Sequence, residues 1–351
     1  MERLTKNHPE CEFVLFFDRP YDKDFVFADN VKPIVIPFPT RHPMLWHIYF
    51  EILLPIYIRL YKIDVFFSPE GYIPTHVKTP MLSTIHDINF EHDKTYIGNK
   101  VYQRYMEYFT PRFAKSADLV LTVSDFSKQD LIKTYAIEQE KVFVVESSAN
   151  EDFKTYSLEE NQRTKERYSN SCPYFYFVGS LQKRKNLTNL FKAFDVFKQR
   201  SKSNVKLLIV GSKKWWKGEI EDTFNAMEYK NEVVFTGRIP LEEVNRIASA
   251  SLSLVFVSFF EGFGLPLLEA YRSSTAVITS NTSSMPEVAG QGALYANPYN
   301  VESICEAMIE IYKNPSLRED LIKKGQEQAK KYSWDKTAEL VWKAIEQVAK
   351  K

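Results

Sequence analysis

The stretch Glu261-Gly262-Phe263-Gly264-Leu265-Pro266-Leu267-Leu268-Glu269 follows an apolar run at residues 252–257. The apolar run predicts a buried β-strand. Pro266 predicts the first turn of a helix, where a missing N–H costs nothing. Two glycines between these elements allow the backbone to approach a ligand closely. Free amides at the start of a helix favour a bound phosphate, and here they are the amides of Phe263, Gly264 and Leu265.

Two glutamates flank this predicted phosphate site. Glu269 lies three residues after Pro266, one helical turn on, where its carboxylate can accept hydrogen bonds from the vicinal hydroxyls of a ribose. Glu261 precedes the glycines and suits a hydroxyl of a sugar. Two solvated glutamates on an ordinary β–α turn are the alternative, and the motif taken alone favours that alternative.

A second predicted strand, at residues 174–178, leads into Gly179-Ser180-Leu181-Gln182-Lys183-Arg184-Lys185-Asn186. Three consecutive cations usually form a solvated surface. These three follow the carboxyl end of a strand, the edge at which open α/β sheets bind ligands. Arg184 and Lys185 are therefore candidates to neutralise a diphosphate as its bond breaks.

Short apolar runs alternate with stretches of helical period along the whole chain, which is the pattern of parallel βα units. We predict an α/β protein with two Rossmann-like domains at residues 1–152 and 153–332, and a capped helix at 333–351. The predicted strands lie at residues 13–17, 33–36, 65–67, 81–85, 119–123 and 142–145, and at 174–178, 205–210, 233–236, 252–257 and 276–279.

Composition excludes several classes of protein. The 351 residues carry a net charge of +1, from 46 basic and 45 acidic side chains, so bulk charge gives no reason to expect a nucleic acid partner. Three distant cysteines fit neither a disulfide framework nor a zinc site and suggest a reducing compartment. No apolar run is long enough to span a bilayer, and the polar amino terminus lacks a secretory signal. We expect a cytoplasmic protein.

His86 follows the predicted strand at 81–85, and a histidine in such a place is as often structural as functional. The loop at residues 86–93 contains two histidines and three carboxylates, but their spacing differs from that of helical zinc ligands. The Asp22-Lys23-Asp24 sequence has the Asp-x-Asp form of a metal motif but lies in a turn-like stretch. We therefore expect no metal site.

Several matches in chain order make the sequence similar to glycosyltransferase family 4, the retaining enzymes with two Rossmann-like domains. Glu261 and Glu269, separated by seven residues, match the two glutamates of the family, and Lys185 matches its phosphate-binding lysine. The resemblance covers nearly all of the chain and implies the GT-B fold, in which the two domains face each other across a cleft and the C-terminal helix crosses back to the first. Further matches are His86-Asp87, residues 118–127 and residues 285–290.

The resemblance also implies roles for individual residues. Arg184 and Lys185 would hold the donor diphosphate, and Glu269 the ribose. Backbone near residues 236–239 would contact the base, and His86 would line the reacting sugar from the other domain. The implied catalytic residues are His86 and Glu261, and the implied donor-binding residues are Gly179, Arg184, Lys185, Gly237, Arg238, Phe263, Gly264, Leu265 and Glu269.

The implied activity is transfer of a hexose, with a mannose-like donor favoured, from a GDP- or UDP-linked sugar to a glycan or lipid-linked acceptor. Anomeric configuration would be retained, no metal or other cofactor would be needed, and the product would belong to a bacterial surface polysaccharide. Two alternatives stay open. One is a non-catalytic relative that binds nucleotide sugars, and the other is a sugar-nucleotide epimerase on the same fold.

Two features depart from the family pattern. The sequence given opens at what resembles the family's second strand. The first strand and its glycine-rich loop are therefore expected to be missing from it. The backbone groups that would pair with that first strand then need another partner. Ser180 stands where many members have an arginine, which removes one expected contact to the diphosphate.

Residues 46–60 predict a long helix of aromatic and aliphatic residues. Packing in the core is the favoured interpretation. Peripheral contact of this helix with the inner face of a membrane is the alternative.

Overall fold

The computed structural model describes residues 1–38, 40, 42–96 and 99–350. The chain divides into two compact units, one formed by Met1–Ser147 with Ser333–Lys351 and the other by Ser148–Tyr332. The domain limits expected from the sequence, with a boundary at residues 152 and 153, stay predictions, as does the placement of the two domains across a cleft.

The first unit contains six described strands in two separate parallel sheets. One sheet pairs β1 with β2, and the other has the order β3-β4-β5-β6. The strands are β1 (Phe13–Phe17), β2 (Val31–Val35), β3 (Phe66–Ser68), β4 (Met81–Thr84), β5 (Leu119–Thr122) and β6 (Val142–Val144).

The second unit has one parallel sheet of six described strands in the order β12-β11-β10-β7-β8-β9. The chain starts at the centre, builds one half outward and then returns to build the other, which is the doubly wound Rossmann order. The order reverses between β7 and β10. The strands are β7 (Tyr174–Val178), β8 (Lys206–Val210), β9 (Val233–Gly237), β10 (Ser253–Phe256), β11 (Ala276–Ser280) and β12 (Ala293–Ala296).

Helices connect the strands in both units. Those of the first unit are α1 (Glu2–Asn7), α2 (Pro43–Ile48), α3 (Leu54–Leu60), α4 (Asn89–His92), α5 (Lys100–Ser116), α6 (Asp125–Tyr135) and, at the end of the chain, α15 (Trp334–Ala349). Those of the second are α7 (Leu158–Ser169), α8 (Leu187–Ser201), α9 (Glu219–Ala226), α10 (Leu241–Ala250), α11 (Leu265–Arg272), α12 (Met285–Ala289), α13 (Val301–Lys313) and α14 (Pro315–Ala329).

Single turns of 3-10 helix lie between these elements, at Lys23–Phe25, Lys94–Tyr96, Gln139–Lys141, Lys183–Lys185, Lys213–Trp215 and Lys230–Glu232. In the first of them the side chain of Asp22 accepts a hydrogen bond from the amide of Asp24. The Asp-x-Asp sequence therefore forms a capped turn, as the sequence predicts.

The core of the second unit follows from the apolar pattern of its sequence. Leu187, Leu190, Phe191 and Phe194 form an apolar stripe along α8 at helical spacing, and all four are fully buried. Strand β7 is buried along nearly its whole length, as a strand covered by helices on both faces requires.

Helix α15 belongs to the first unit. Its N-cap is Ser333, whose hydroxyl accepts a hydrogen bond from the amide of Lys336. Ala338, Val341, Ala344 and Val348 lie on its buried face and pack with apolar residues of β4 and β5.

Residues 43–60 form a continuous helical segment, as predicted for most of this range. The π-helix Tyr49–Leu53 separates α2 from α3. Pro55 lacks an N–H and disrupts the regular hydrogen-bond pattern of the preceding turn, a common reason for such a bulge. Tyr49, Leu54 and Ile58 are buried. Along another side of the segment, Ile48, Ile52, Ile56 and Leu60 are exposed.

All eleven strands predicted from the sequence are present, with ends that differ by at most two residues. The twelfth strand, β12, was not predicted because Ala293-Leu294-Tyr295-Ala296 is short and half alanine. The polar stretch at residues 159–165 has little apolar period in the sequence but lies in α7. A capping box between Ser157 and Glu160 starts this helix. The capping hydrogen bonds stabilise the helix although its apolar pattern is weak.

Candidate active site

The predicted site residues of the second unit lie where the strand order reverses. The loop after β7 carries Arg184 and Lys185, and the loop after β10 carries Glu261. Strands β7 and β10 are parallel neighbours, so both loops leave from the same edge of the sheet. Open α/β sheets bind ligands at this position.

The Glu261 carboxylate joins the two loops. One of its oxygens accepts a hydrogen bond from Nη1 of Arg184 at 2.6 Å, and the other accepts one from Nζ of Lys185 at 2.6 Å. Glu261 and Lys185 are only 6% and 8% exposed. Burial alone would raise the pKa of the Glu261 carboxyl, but the charges and hydrogen bonds of Lys185 and Arg184 outweigh burial and hold that pKa below its ordinary value.

Backbone and amide contacts fix the two cations in place. The carbonyl of Arg184 accepts a hydrogen bond from the amide of Phe259, 2.9 Å away. Nζ of Lys185 lies 4.8 Å from the centre of the Phe256 ring, a favourable position for a cation. The next residue, Asn186, is buried and donates to the carbonyls of Val257 and Pro298 at 2.9 and 2.7 Å. The two cations are therefore held at a defined position and are not a loose surface run.

Glycines end the three strands β7, β8 and β9 at this edge. The amide of Gly179 donates to Val210, and the amide of Gly211 donates to Gly237. A Cβ atom on Gly211 would lie 2.0 Å from the carbonyl oxygen of Gly179, so only glycine fits there.

Helix α11 begins beside Glu261. Gly264 precedes the helix with φ of 104°, and a Cβ atom there would lie 2.5 Å from Cε of Met285. Within the described chain, the amides of Phe263, Gly264 and Leu265 have no hydrogen-bond acceptor. These three donors lie at the positive end of a helix, so this part of the loop can bind an anion.

Two serines that follow β11 bond to the backbone of the loop that contains Glu261. The amide of Glu261 donates to the hydroxyl of Ser283 at 3.2 Å. The hydroxyl of Ser284 donates to the carbonyls of Glu261 and Phe263, at 2.9 and 3.0 Å. The segment at 282–285 therefore supports the backbone of the glutamate loop.

Glu269 lies in α11, one turn into the helix. Burial raises the pKa of its carboxyl to about 7. Among the residues that the structure describes, no hydrogen-bond donor or cation contacts this carboxylate. It is a half-buried acceptor that is available to a ligand.

Gly237 ends β9, and Arg238 follows it with an exposed side chain. The carbonyl of Gly237 bonds to Gly211, so the backbone at this end of β9 is joined to the glycines of β8 and β7. Arg238 does not contact the cluster of Arg184, Lys185 and Glu261 in any described contact.

His86 lies in the first unit, after β4, and its side chain is exposed. Its Nε2 lies 3.0 Å from the carbonyl oxygen of Pro69, which follows β3. The other histidine of this loop, His92, is paired with Asp130 at 2.8 Å. No group of three histidine, cysteine or carboxylate side chains suited to a metal ion occurs among the described residues.

Sequence reasoning did not identify Gly211, Asn186, Ser283 and Ser284 as parts of this site. Asn186 had a local signal, because it directly precedes the apolar stripe of α8. Gly211 ends an apolar strand in the same way as Gly179. The serines had only a weak signal, a polar run before Pro286.

Two family descriptions match the chain. "Glycosyltransferase Family 4" matches residues 2–152 and "Glycosyl transferases group 1" matches residues 159–328. Among curated proteins, O-antigen chain mannosyltransferase B of Escherichia coli is 29% identical over 79% of this chain and 73% of its own length. O-antigen chain mannosyltransferase RfbU of Salmonella typhimurium is 29% identical over 85% of this chain and 78% of its own length.

Among solved structures, HepE of Anabaena in complex with UDP-glucose superposes with a TM-score of 0.77 at 12% identity, over 99% of this chain and 94% of that protein. The fold and these matches define a glycosyltransferase with the GT-B fold. The chain belongs to glycosyltransferase family 4, as its motifs predict.

Proposed function

We propose that this glycosyltransferase transfers a mannose-like hexose from a nucleotide diphosphate sugar to a glycan or lipid-linked acceptor, with retention of configuration, in the synthesis of a surface polysaccharide. The cluster of Glu261, Arg184 and Lys185 carries the proposal. It places two fixed cations beside the free amides of α11, at the edge where a doubly wound sheet binds ligands.

The donor diphosphate would contact Arg184, Lys185 and the amides of 263–265, because these groups supply positive charge and unused donors in one place. Glu269 would accept hydrogen bonds from the ribose. Gly179 allows the diphosphate to approach the end of β7, and Gly237 and Arg238 lie at the end of β9, where the base would bind.

In the proposed reaction, the bond between the anomeric carbon and the diphosphate oxygen breaks, and the acceptor oxygen forms a new bond on the same face of the sugar. The acceptor proton passes to the departing diphosphate. Glu261 would orient a hydroxyl of the sugar. His86, which belongs to the first unit, would line the reacting sugar. No metal ion is needed, because side-chain cations and helix amides neutralise the leaving group.

Similarity supports the choice of substrates. Two relatives are named as O-antigen chain mannosyltransferases, which favours a mannose-like donor and a polysaccharide acceptor. The structural neighbour HepE was solved with UDP-glucose, so both GDP- and UDP-linked donors belong in the test.

Peripheral membrane contact is a separate part of the proposal. No described helix is long and apolar enough to cross a bilayer. Ile48, Ile52, Ile56 and Leu60 recur every four residues with 37% to 67% of their surface exposed. Such a stripe could lie at the surface of a membrane that carries a lipid-linked acceptor.

The donor is identified by incubating the enzyme with GDP- and UDP-linked hexoses and a lipid-linked or oligosaccharide acceptor. We expect transfer with one donor, and an NMR spectrum of the product with the anomeric configuration of the donor. The Lys185→Ala variant should lose at least 100-fold in kcat/KM, about 3 kcal/mol. The matched control is Lys183→Ala, an exposed lysine of the same turn, which should retain activity.

Three results would contradict the proposal. Inverted configuration would exclude a retaining enzyme. Conversion of the donor sugar without an acceptor would indicate an epimerase. Equal activity of the Lys185→Ala and Lys183→Ala variants would place the diphosphate elsewhere.

A further inference from the structure

Two aromatic side chains that the proposed reaction does not use lie at the carboxyl edge of the second unit's sheet. Phe259 follows β10 and Tyr299 follows β12, and both strands run parallel to β11. The two rings stack, with centroids 4.9 Å apart and an angle of 27° between their planes. Tyr299 is 68% exposed and Phe259 is partly buried, so this aromatic pair presents a ring surface to solvent.

The aromatic pair adjoins the charged cluster of Arg184, Lys185 and Glu261. The amide of Phe259 donates a hydrogen bond to the carbonyl of Arg184 at 2.9 Å. In return, Nη1 of Arg184 donates to the carbonyl of Phe260 at 3.2 Å. The aromatic pair therefore lies beside the proposed site of the donor diphosphate.

Hydrogen bonds hold the backbone at Tyr299 in place although the side chain is exposed. The amide of Tyr299 donates to Oδ1 of Asn297 at 3.0 Å. The carbonyl of Pro298 accepts hydrogen bonds from Nδ2 of Asn186 and Nδ2 of Asn189, at 2.7 and 2.9 Å. A tyrosine on a fixed backbone has few torsion angles left to restrict, so a ligand that covers its ring costs little conformational entropy.

The chain around the aromatic pair is neutral and polar. Residues 257–260 and 297–300, which carry the two rings, contain no charged side chain. Among the described residues, the hydroxyl of Tyr299 and the Nδ2 groups of Asn297 and Asn300 have no hydrogen-bond partner, and all three side chains are exposed. The surface thus combines an apolar ring with donors that are available to hydroxyl groups.

We propose that the aromatic pair binds a neutral hexose residue of the acceptor glycan. This inference rests on the proposed function, which makes the acceptor a glycan. One face of a pyranose ring consists of C–H groups, which carry partial positive charge and pack on the negative face of an aromatic ring. The hydroxyls of the sugar lie around the edge of its ring, where Tyr299, Asn297 and Asn300 supply polar groups.

Other ligand classes fit these surroundings less well. An anion needs a cation or a group of backbone amides, and the two segments that carry the aromatic pair have no cation. A lipid surface needs a broad apolar area, whereas Tyr299 is flanked by Pro298 and Asn300 and has Asn297 nearby. A nucleobase can also stack on an aromatic ring, so the experiment includes nucleotides.

The test measures binding of an α-linked mannotetraose to the full chain by NMR titration, without a donor. Tyr299→Leu removes the aromatic ring but keeps an apolar side chain, whereas Tyr299→Phe keeps the ring. We expect the dissociation constant of the tetrasaccharide to rise about tenfold in Tyr299→Leu, because the stacking contact is lost. Tyr299→Phe should bind within about threefold of the native protein, because it loses only one exposed hydroxyl.

The matched control is Tyr108→Leu, which changes an exposed tyrosine of α5 whose ring already contacts the guanidinium of Arg112. This variant should bind the tetrasaccharide like the native protein. The proposal is overturned if the native protein does not bind the tetrasaccharide, if Tyr299→Leu binds it as tightly, or if Tyr299→Phe loses as much affinity as Tyr299→Leu. An equal loss of GDP or UDP affinity in Tyr299→Leu would also overturn it, because the rings would then stack on the nucleobase.

Transfer assays distinguish a failure of this inference from a failure of the proposed function. With donor present, Tyr299→Leu should raise the KM for the tetrasaccharide acceptor about tenfold with little change in kcat, because the aromatic pair contacts the acceptor equally before and during the reaction. A lower kcat at unchanged KM would overturn this role. If the native protein transfers no hexose from any donor, the proposed function is wrong, and the binding measurements without donor still decide whether the aromatic pair binds a glycan.

Discussion

At the scale of single residues, the Glu261 carboxylate is the centre of the charged cluster in the second unit. It is almost fully buried, and the positive charges of Arg184 and Lys185 compensate for the cost of burying its negative charge. A donor diphosphate that binds the same two cations would compete with Glu261 for them. The carboxylate would then turn to another partner, and a sugar hydroxyl is the partner that the proposed reaction supplies.

We therefore expect Lys185→Ala to destabilise the protein as well as to reduce turnover. The substitution removes one of two cations beside a buried carboxylate, which should cost about 2 to 3 kcal/mol in the free energy of unfolding. In a Glu261→Gln background the same substitution should cost under about 1 kcal/mol. Urea unfolding of the four proteins measures this coupling, and equal costs in both backgrounds would contradict it.

Glu269 provides a test that depends on pH. Burial raises the pKa of its carboxyl to about 7 from 4.5. This group's contribution to stability is complete below about pH 4.5 and is lost as pH rises through 7, because the carboxyl ionises more readily in the unfolded chain than in its half-buried position in the folded protein. Glu269→Gln should remove this loss and gain about 2 kcal/mol relative to the native protein between pH 5 and 8.

Urea unfolding at several pH values checks this expectation. The exposed Glu319 serves as the matched control, since Glu319→Gln should leave the pH dependence unchanged. If the stability of the Glu269→Gln variant changes with pH in the same way as that of the native protein, this carboxyl is not shielded from water in solution.

Gly211 tests the close approach of β7 and β8. An added Cβ atom would meet the Gly179 carbonyl at 2.0 Å, so Gly211→Ala must move the loop after β7. We expect a loss of more than about 2 kcal/mol in stability. Gly218 also has a positive φ but nothing within 4 Å of an added Cβ atom, so Gly218→Ala should cost only about 1 kcal/mol. Thermal unfolding of the two variants separates the clash from backbone strain.

At the scale of elements, α15 completes the first unit although it ends the chain. Its buried face packs on Leu82 of β4 and on Leu119 and Leu121 of β5. A chain that ends at Tyr332 should expose these strands and become sensitive to proteolysis within the first unit. A chain that ends at Ala349, which loses only two residues after the helix, is the control and should remain resistant. Equal resistance of the two truncated chains would contradict this role of α15.

The elements could be predicted from the sequence because most of them are determined locally. The strand at 174–178 is five consecutive apolar or aromatic residues, and α8 carries an unbroken stripe. What brings Lys185 to Glu261 is the pairing of β7 with β10, which joins residues 76 positions apart. The neutralisation of Glu261 by two cations depends on that pairing, so no local pattern indicates it.

The same reasoning explains why Gly211 was overlooked. Its requirement for glycine comes from a carbonyl on a neighbouring strand and not from its own sequence surroundings. The unpaired edges of β1 and β3 were expected in general terms from the resemblance. Their position beside a cavity of about 1220 Å³ follows only from the spatial order of the strands.

At the scale of the whole molecule, the division into two units has a measurable consequence for ligand binding. The proposed diphosphate contacts lie in the second unit, so a nucleoside diphosphate should stabilise that unit directly. At 100 times its dissociation constant, the ligand should add about 2.7 kcal/mol to the free energy of unfolding of the unit that binds it.

Hydrogen exchange with GDP or UDP resolves where this stabilisation occurs. We expect slower exchange at residues 179–186 and 261–265, which carry the fixed cations and the free amides of α11, and no change in β4 and β5 of the first unit. The Lys185→Ala variant should show neither the protection nor the stabilisation, whereas Lys183→Ala should show both. Protection confined to β4 and β5 would place the nucleotide in the first unit, and the cluster around Glu261 would then be structural.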